Sequence, residues 1–181
     1  PQVPDPAVAV EFWDGELRHL VKDLSAVSGR NVADADVWAA IARHDEVRRV
    51  IRELYRVRRE RPWDVPTEEL YLLLRAGEVA PAEVFLTQAR GYLAAVEAAP
   101  GRPRDNSRVI VVGAFCEQPP MGLIKSIERA GCYVVDDDFL LGNRFLRREV
   151  GSGGDPVRAL AEALVHTELR TSVLYEGDPG G

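Results

Sequence analysis

A chain of 181 residues, 46% of them hydrophobic, is long enough to bury a core and bounds the architecture to one or two domains. Its formal net charge of −6 argues against a general nucleic-acid binder, which carries a clustered positive excess. No apolar stretch approaches the roughly 20 residues that a membrane-spanning helix needs, and no basic region precedes an apolar one at the amino end, so neither a span nor a signal peptide is expected.

The first hundred residues read as helices. Val10, Trp13, Leu17, Leu20, Val21, Leu24 and Val27 recur at spacings of three and four, which predicts an amphipathic helix over 8–27 with Gly29 as its stop. Asp34 or Asp36 is placed to cap a second helix, carrying Val37, Trp38, Ile41, Val47, Val50, Ile51, Leu54 and Tyr55. That helix ends near Arg61, because a residue before proline avoids the α region. Thr67, Glu68 and Glu69 open a short third helix that runs through Leu74, with Gly77 as punctuation. Pro81 suits the first turn of a fourth, reaching about Ala98.

Pro100 to Asn106, with two prolines and a glycine, is the clearest boundary. Beyond it the period changes. Val109–Val112 reads as a strand buried on both faces, Leu123, Ile124, Ile127 and Ala130 as a helical stripe closed by Gly131, and Tyr133–Val135 as a second strand. Asp155-Pro156 opens a helix to about His166, and Thr171–Tyr175 reads as a third strand. The expected fold class is α/β: a helical segment over 1–104, then part of a parallel-sheet domain with a βαβ unit over 105–181.

Cys116 is the leading candidate for chemistry. It follows the first strand at its carboxyl end, where ligands and cofactors sit in open α/β sheets, and it precedes a helix whose positive end favours thiolate. By composition alone, a lone cysteine after a strand is as a rule an inert buried residue. Cys132, after the intervening helix, belongs at the opposite end of the sheet and reads as a small buried apolar residue. A helix of about twelve residues spans roughly 18 Å, too far for both thiols to meet at one site. Two cysteines and no signal sequence suggest free thiols in a reducing, cytoplasmic compartment.

Asp136-Asp137-Asp138 is expected to face solvent and cap the next segment, with a Mg²⁺ site as the alternative. Arg48, Arg49, Arg52, Arg56, Arg58, Arg59 and Arg61, interleaved with Asp45, Glu46, Glu53 and Glu60, read as a solvated helix face, with a surface that meets ligand phosphates or a partner protein as the alternative. His19, His44 and His166 form no motif, and there is no phosphate-cradling glycine loop.

The run Gly113-Ala-Phe-Cys-Glu-Gln-Pro-Pro120, with Ile127-Glu128 and Ala130-Gly-Cys-Tyr-Val-Val-Asp-Asp-Asp-Phe139, resembles the cluster-binding subunits of benzoyl-CoA reductase and the 2-hydroxyacyl-CoA dehydratases. The reductase branch is the nearer. The resemblance implies a flavodoxin-like three-layer domain, of which this chain holds part. Members are about twice as long, and neither Pro1 nor Gly181 looks like a natural terminus, so an internal fragment, inactive alone, is expected.

The same resemblance implies an oxidoreductase of anaerobic aromatic degradation. Cys116 is then one of three cysteines binding a [4Fe–4S] cluster, the other two being missing from this chain, and Glu117 is a candidate contact to cluster or substrate. The implied partners are a paralogous cluster-binding subunit, an ATP-hydrolysing activator with its own cluster, and an acyl-CoA thioester reduced by one electron to a ketyl-type radical. Two other readings stay open: a non-catalytic scaffold of the same fold without a cluster, and a phosphate- or Mg²⁺-dependent regulator using Asp136–Asp138. An incomplete parallel sheet also predicts association with another chain or with itself.

Overall fold

The computed structural model describes residues 5–112, 120–137 and 149–166. Eight elements follow one another: α1 (Pro6–Ser28), α2 (Asp34–Glu60), α3 (Thr67–Gly77), α4 (Ala82–Ala98), β1 (Ser107–Val111), α5 (Met121–Arg129), β2 (Cys132–Asp137) and α6 (Pro156–Val165). The chain is α/β, helical first and then carrying a small parallel sheet. The described residues divide into two compact units, one made of those up to Glu46 with 149–166, the other of those from Val47 to 137.

Short polar and cyclic residues set the helix ends. In α1 the Asp5 carboxylate accepts from the Ala7 amide at 2.9 Å, Pro6 occupies the first turn, and Gly29 takes the left-handed conformation (φ 66°) that ends the helix. At the start of α2, Asp36 accepts from the Ala33 amide at 3.1 Å, the backward arm of a capping box. Pro66, Pro81 and Pro120 each precede a helix in an extended conformation, so each of these helices starts one residue after its proline.

In the first unit α1 packs on α6, burying Val10, Val157 and Ala161. Charges flank that contact: Arg18 bonds Asp14 at 2.9 Å and Asp155 at 2.7 Å, and Arg158 bonds Glu11. Asp155 also caps α6, accepting from the Val157 and Arg158 amides at 2.9 and 3.1 Å. Asp45, only 3% exposed, takes the Val150 and Gly151 amides and so fixes the approach to α6.

The second unit holds the larger core: Leu54, Tyr55 and Val57 of α2, Val65, Leu70 and Leu74, then Phe85, Ala89 and Val96 of α4. Gly77 closes α3 for reasons of space. A Cβ there would stand 2.6 Å from the Phe85 ring, so the residue is needed for close approach and not for an unusual φ. Glu128 of α5 accepts from the Thr67 amide at 3.0 Å and places a carboxylate at the positive end of α3. Lys125 and Glu68, 2.8 Å apart, join the same two helices.

β1 and β2 are parallel neighbours, Ser107 opposite Cys132 and Val111 opposite Asp137, joined through α5 as a βαβ unit. The expected burial of β1 on both faces is not met. Ile110 is 65% exposed and Val112 72%, because among the described residues no element covers that side. The run 171–175, read from sequence as a third strand, lies outside the described residues.

Two outcomes follow from this packing. Gly77→Ala drives a methyl into the Phe85 ring and is expected to cost about 1–3 kcal/mol. Gly91→Ala in α4, where nothing lies within 4 Å, should stabilise by up to about 1 kcal/mol. Urea unfolding midpoints that shift the same way for both would refute the steric account. Arg18 first, and then the Arg158 amide, hold the Asp155 carboxyl below the usual carboxylate range. Its contribution is therefore present above the unfolded value near 4 and lost as pH falls through the lower folded value. The protection of α6 amides, taken against their intrinsic exchange rates at each pH, should fall in acid in the native chain and respond less in Asp155→Asn. Equal acid sensitivity of the two would sink the assignment.

Candidate functional site at the carboxyl edge of the sheet

The carboxyl ends of β1 and β2 lie side by side, and a bulge determines what they present. Val109 pairs with Val134, but Ile110 pairs with Asp136, so Val135 is an extra residue on β2. A regular strand would put Val134 and Asp136 on one face. The inserted residue instead makes Val134 and Asp137 the two buried positions of the strand.

Asp137 meets a buried cation. The Arg58 guanidinium of α2 lies 2.5 Å from Asp137 Oδ2, both side chains being 1% exposed, and 3.9 Å from Asp136 Oδ1. Tyr55, one turn earlier in α2, donates its hydroxyl to Asp137 Oδ1 at 3.2 Å, and its ring carries Arg58 at 4.5 Å. Arg59 Nη1 donates to Asp136 at 3.2 Å. Arg108 of β1 reaches back to the Arg59 and Glu60 carbonyls, satisfying acceptors at the carboxyl end of α2. Two carboxylates, two guanidiniums and a phenol therefore bind α2 to this edge.

The aspartate run is thus corrected. Asp136 and Asp137 belong to β2 and neutralise arginines, where a solvent-facing cap was expected; Asp138 lies outside the described residues. A Mg²⁺ ion on these two carboxylates would have to displace Arg58 and Arg59. The solvated reading of the basic run holds for Arg56, which is exposed and pairs with Glu53 and Glu60, and fails for Arg58. The sequence did carry a signal: Val47, Ile51, Leu54 and Arg58 are spaced four, three and four, which puts the arginine on the apolar stripe.

Cys116 and Glu117, the two residues singled out for cluster and substrate, lie outside the described residues. Cys132 begins β2 at the amino edge, as its position in the sequence requires, and is half-buried with a free thiol. Five residues of strand separate that edge from the Val111–Asp137 pair, about 16 Å at the usual rise. Cys132 therefore cannot share ligands with a group seated at the carboxyl edge. His19, His44 and His166 are exposed.

Removing one partner of the buried pair strands the other. Asp137→Ala is expected to cost about 3–5 kcal/mol in denaturant unfolding, and Arg58→Met with Asp137→Leu to recover most of it. Arg56→Ala, breaking exposed pairs, should stay within about 1 kcal/mol. An Asp137→Ala no worse than Arg56→Ala would show that the pair does not hold this edge.

Residues 1–175 match the family model for the 2-hydroxyglutaryl-CoA dehydratase D-component. The chain is 43% identical over 169 residues to one of the subunits of benzoyl-CoA reductase from Thauera aromatica, covering 93% of this chain and 44% of that protein. It is 26% identical over 164 residues to the lactoyl-CoA dehydratase beta subunit of Anaerotignum propionicum, covering 90% of this chain and 43% of that protein. With the (R)-phenyllactyl-CoA dehydratase beta subunit of Clostridium sporogenes it shares 25% over 167 residues, 92% of this chain and 43% of that one. The chain spans less than half the length of these curated relatives. With nearly its whole length matched by the family model, it belongs to the 2-hydroxyglutaryl-CoA dehydratase D-component family, which its likeness to reductase and dehydratase subunits alike supports.

Proposed function

We infer that the parent protein is the cluster-binding subunit of an acyl-CoA reductase, with 2-hydroxyacyl-CoA dehydration as the neighbouring chemistry. The observation carrying this reading is the 43% identity to a benzoyl-CoA reductase subunit, against 26% and 25% to the two dehydratase subunits. Cys116 would hold one iron of a [4Fe–4S] cluster, and the remaining cysteine ligands would come from parts of the protein beyond this chain. The donor chemistry is compatible with that: a thiol follows β1 on the carboxyl side, and Cys132 at the other edge is too distant to compete. The cluster, when bound, supplies low-potential single electrons to the thioester.

This chain's own residues have a supporting task. The Arg58–Asp137–Tyr55 network fixes the carboxyl end of β2, beside the end of β1 that Cys116 follows in sequence. Glu117, next to Cys116 in sequence, would make a polar contact to cluster or substrate. A paralogous subunit and a separate ATP-hydrolysing activator complete the system. In it, a CoA thioester accepts one electron to give a ketyl-type radical. The exposed apolar side chains of Ile110 and Val112 are consistent with further chain covering the sheet in the complete enzyme.

Iron content and EPR of the full-length protein purified without oxygen, beside Cys116→Ser, test the assignment. About four irons per chain, sharply reduced in the variant, are expected. Iron-free protein in both after reconstitution would leave a scaffold subunit that shares the fold and lacks the cluster.

A further inference from the structure

The amino edge of the sheet differs chemically from the carboxyl edge. A cleft of about 380 Å³ opens there, lined by Trp63, Arg102, Arg104, Asn106, Glu128 and Tyr133, among others. The volume lies within the range of small-molecule sites. Arg18, Arg56, Arg58, Arg61 and Arg158 all bond carboxylates. Arg102 and Arg104 have no acceptor for their guanidiniums among the described residues. In a chain of net charge −6, a cleft lined by Arg102 and Arg104 against the single carboxylate of Glu128 keeps an excess of one positive charge. Pro103 between them, with its fixed φ, limits the freedom of the linker that carries both.

We propose that this cleft binds a nucleoside monophosphate, the phosphate held by Arg102 and Arg104 and the base against Trp63. A phosphate monoester is close to dianionic at neutral pH and matches two guanidinium forks, whereas a single carboxylate matches one. The Tyr133 hydroxyl already accepts from the Arg104 amide at 3.0 Å, so its hydrogen remains available to a phosphate oxygen. The half-buried Trp63 indole, held edge-on to Tyr133 with centroids 6.2 Å apart, offers a stacking surface to a flat base. Glu128 commits one oxygen to the Thr67 amide, and its second oxygen, with the Asn106 amide, supplies polar partners for the edge of the base. The cleft is about 16 Å of strand away from the carboxyl edge, so it is a second site and does not rest on the cluster assignment.

Calorimetry on the full-length protein with adenosine monophosphate, adenosine and inorganic phosphate tests this. The intact nucleotide should bind at least tenfold more tightly than either part. Arg102→Ala with Arg104→Ala, both in an exposed linker, should weaken the nucleotide about 10- to 100-fold without changing circular dichroism. Trp63→Leu should lower nucleotide affinity and leave phosphate affinity unchanged. Nucleotide binding no tighter than phosphate would reduce the cleft to an unselective anion patch and overturn the proposal. So would an affinity insensitive to the double arginine variant.

Discussion

The contact on which the second unit most depends is the ion pair between Arg58 and Asp137, closed from solvent on both sides. Taking two charges out of water is costly, and the attraction offsets that cost only when geometry and extra hydrogen bonds are good. Both conditions are visible. Asp137 receives the guanidinium on one oxygen and the Tyr55 hydroxyl on the other, while the Tyr55 ring supports the cation from its face. Arg58 Nε has no acceptor among the described residues, so the arrangement is not fully satisfied. That imbalance makes directionality the main benefit: an apolar contact would hold α2 to the strand as firmly, but would not specify which residue of β2 faces it.

Specification matters because β2 contains a bulge. Alternation alone would turn Asp136 inward, and the extra residue at Val135 brings Asp137 in its place. A buried arginine accepts only the register that delivers a carboxylate to it. The ion pair and the bulge therefore define one another, and neither is interpretable from its own segment. In the first unit carboxylates work locally instead: Asp45 and Asp155 each gather two backbone amides and fix the entry to α6.

This explains what the sequence disclosed. All six helices and both described strands were legible, because many of their ends are written in local chemistry: Gly29, Pro62, Thr67, Pro81, Gly131 and Asp155. The start of α4 moved by one residue, because Pro81 serves as the cap and not as the first helical residue, and α3 ran on from Leu74 to Gly77. Arg58 was hidden among neighbouring charges whose spacing suits a wet surface, although its place on the stripe of Leu54 and Ile51 marked it as inward. Asp137 was hidden by the bulge, since no periodic rule anticipates an inserted residue. Gly77 read as punctuation when its purpose is to clear the Phe85 ring, a contact visible only after α3 and α4 are paired.

The two edges of the sheet consequently differ in electrostatic character. At the carboxyl edge Asp136 and Asp137 answer Arg58 and Arg59, leaving little net charge to attract an ion. At the amino edge Arg102 and Arg104 have no acceptor for their guanidiniums among the described residues, and they share their cleft with Trp63, Tyr133 and the single carboxylate of Glu128. A neutralised edge suits a neighbouring segment that must exclude water, since charge left unpaired there would draw water in. An unneutralised edge suits a mobile anion that arrives from solvent and departs again. That contrast follows from which arginines meet carboxylates: Arg58 and Arg59 face Asp137 and Asp136 across from α2, whereas Arg102 and Arg104 lie in the linker before β1.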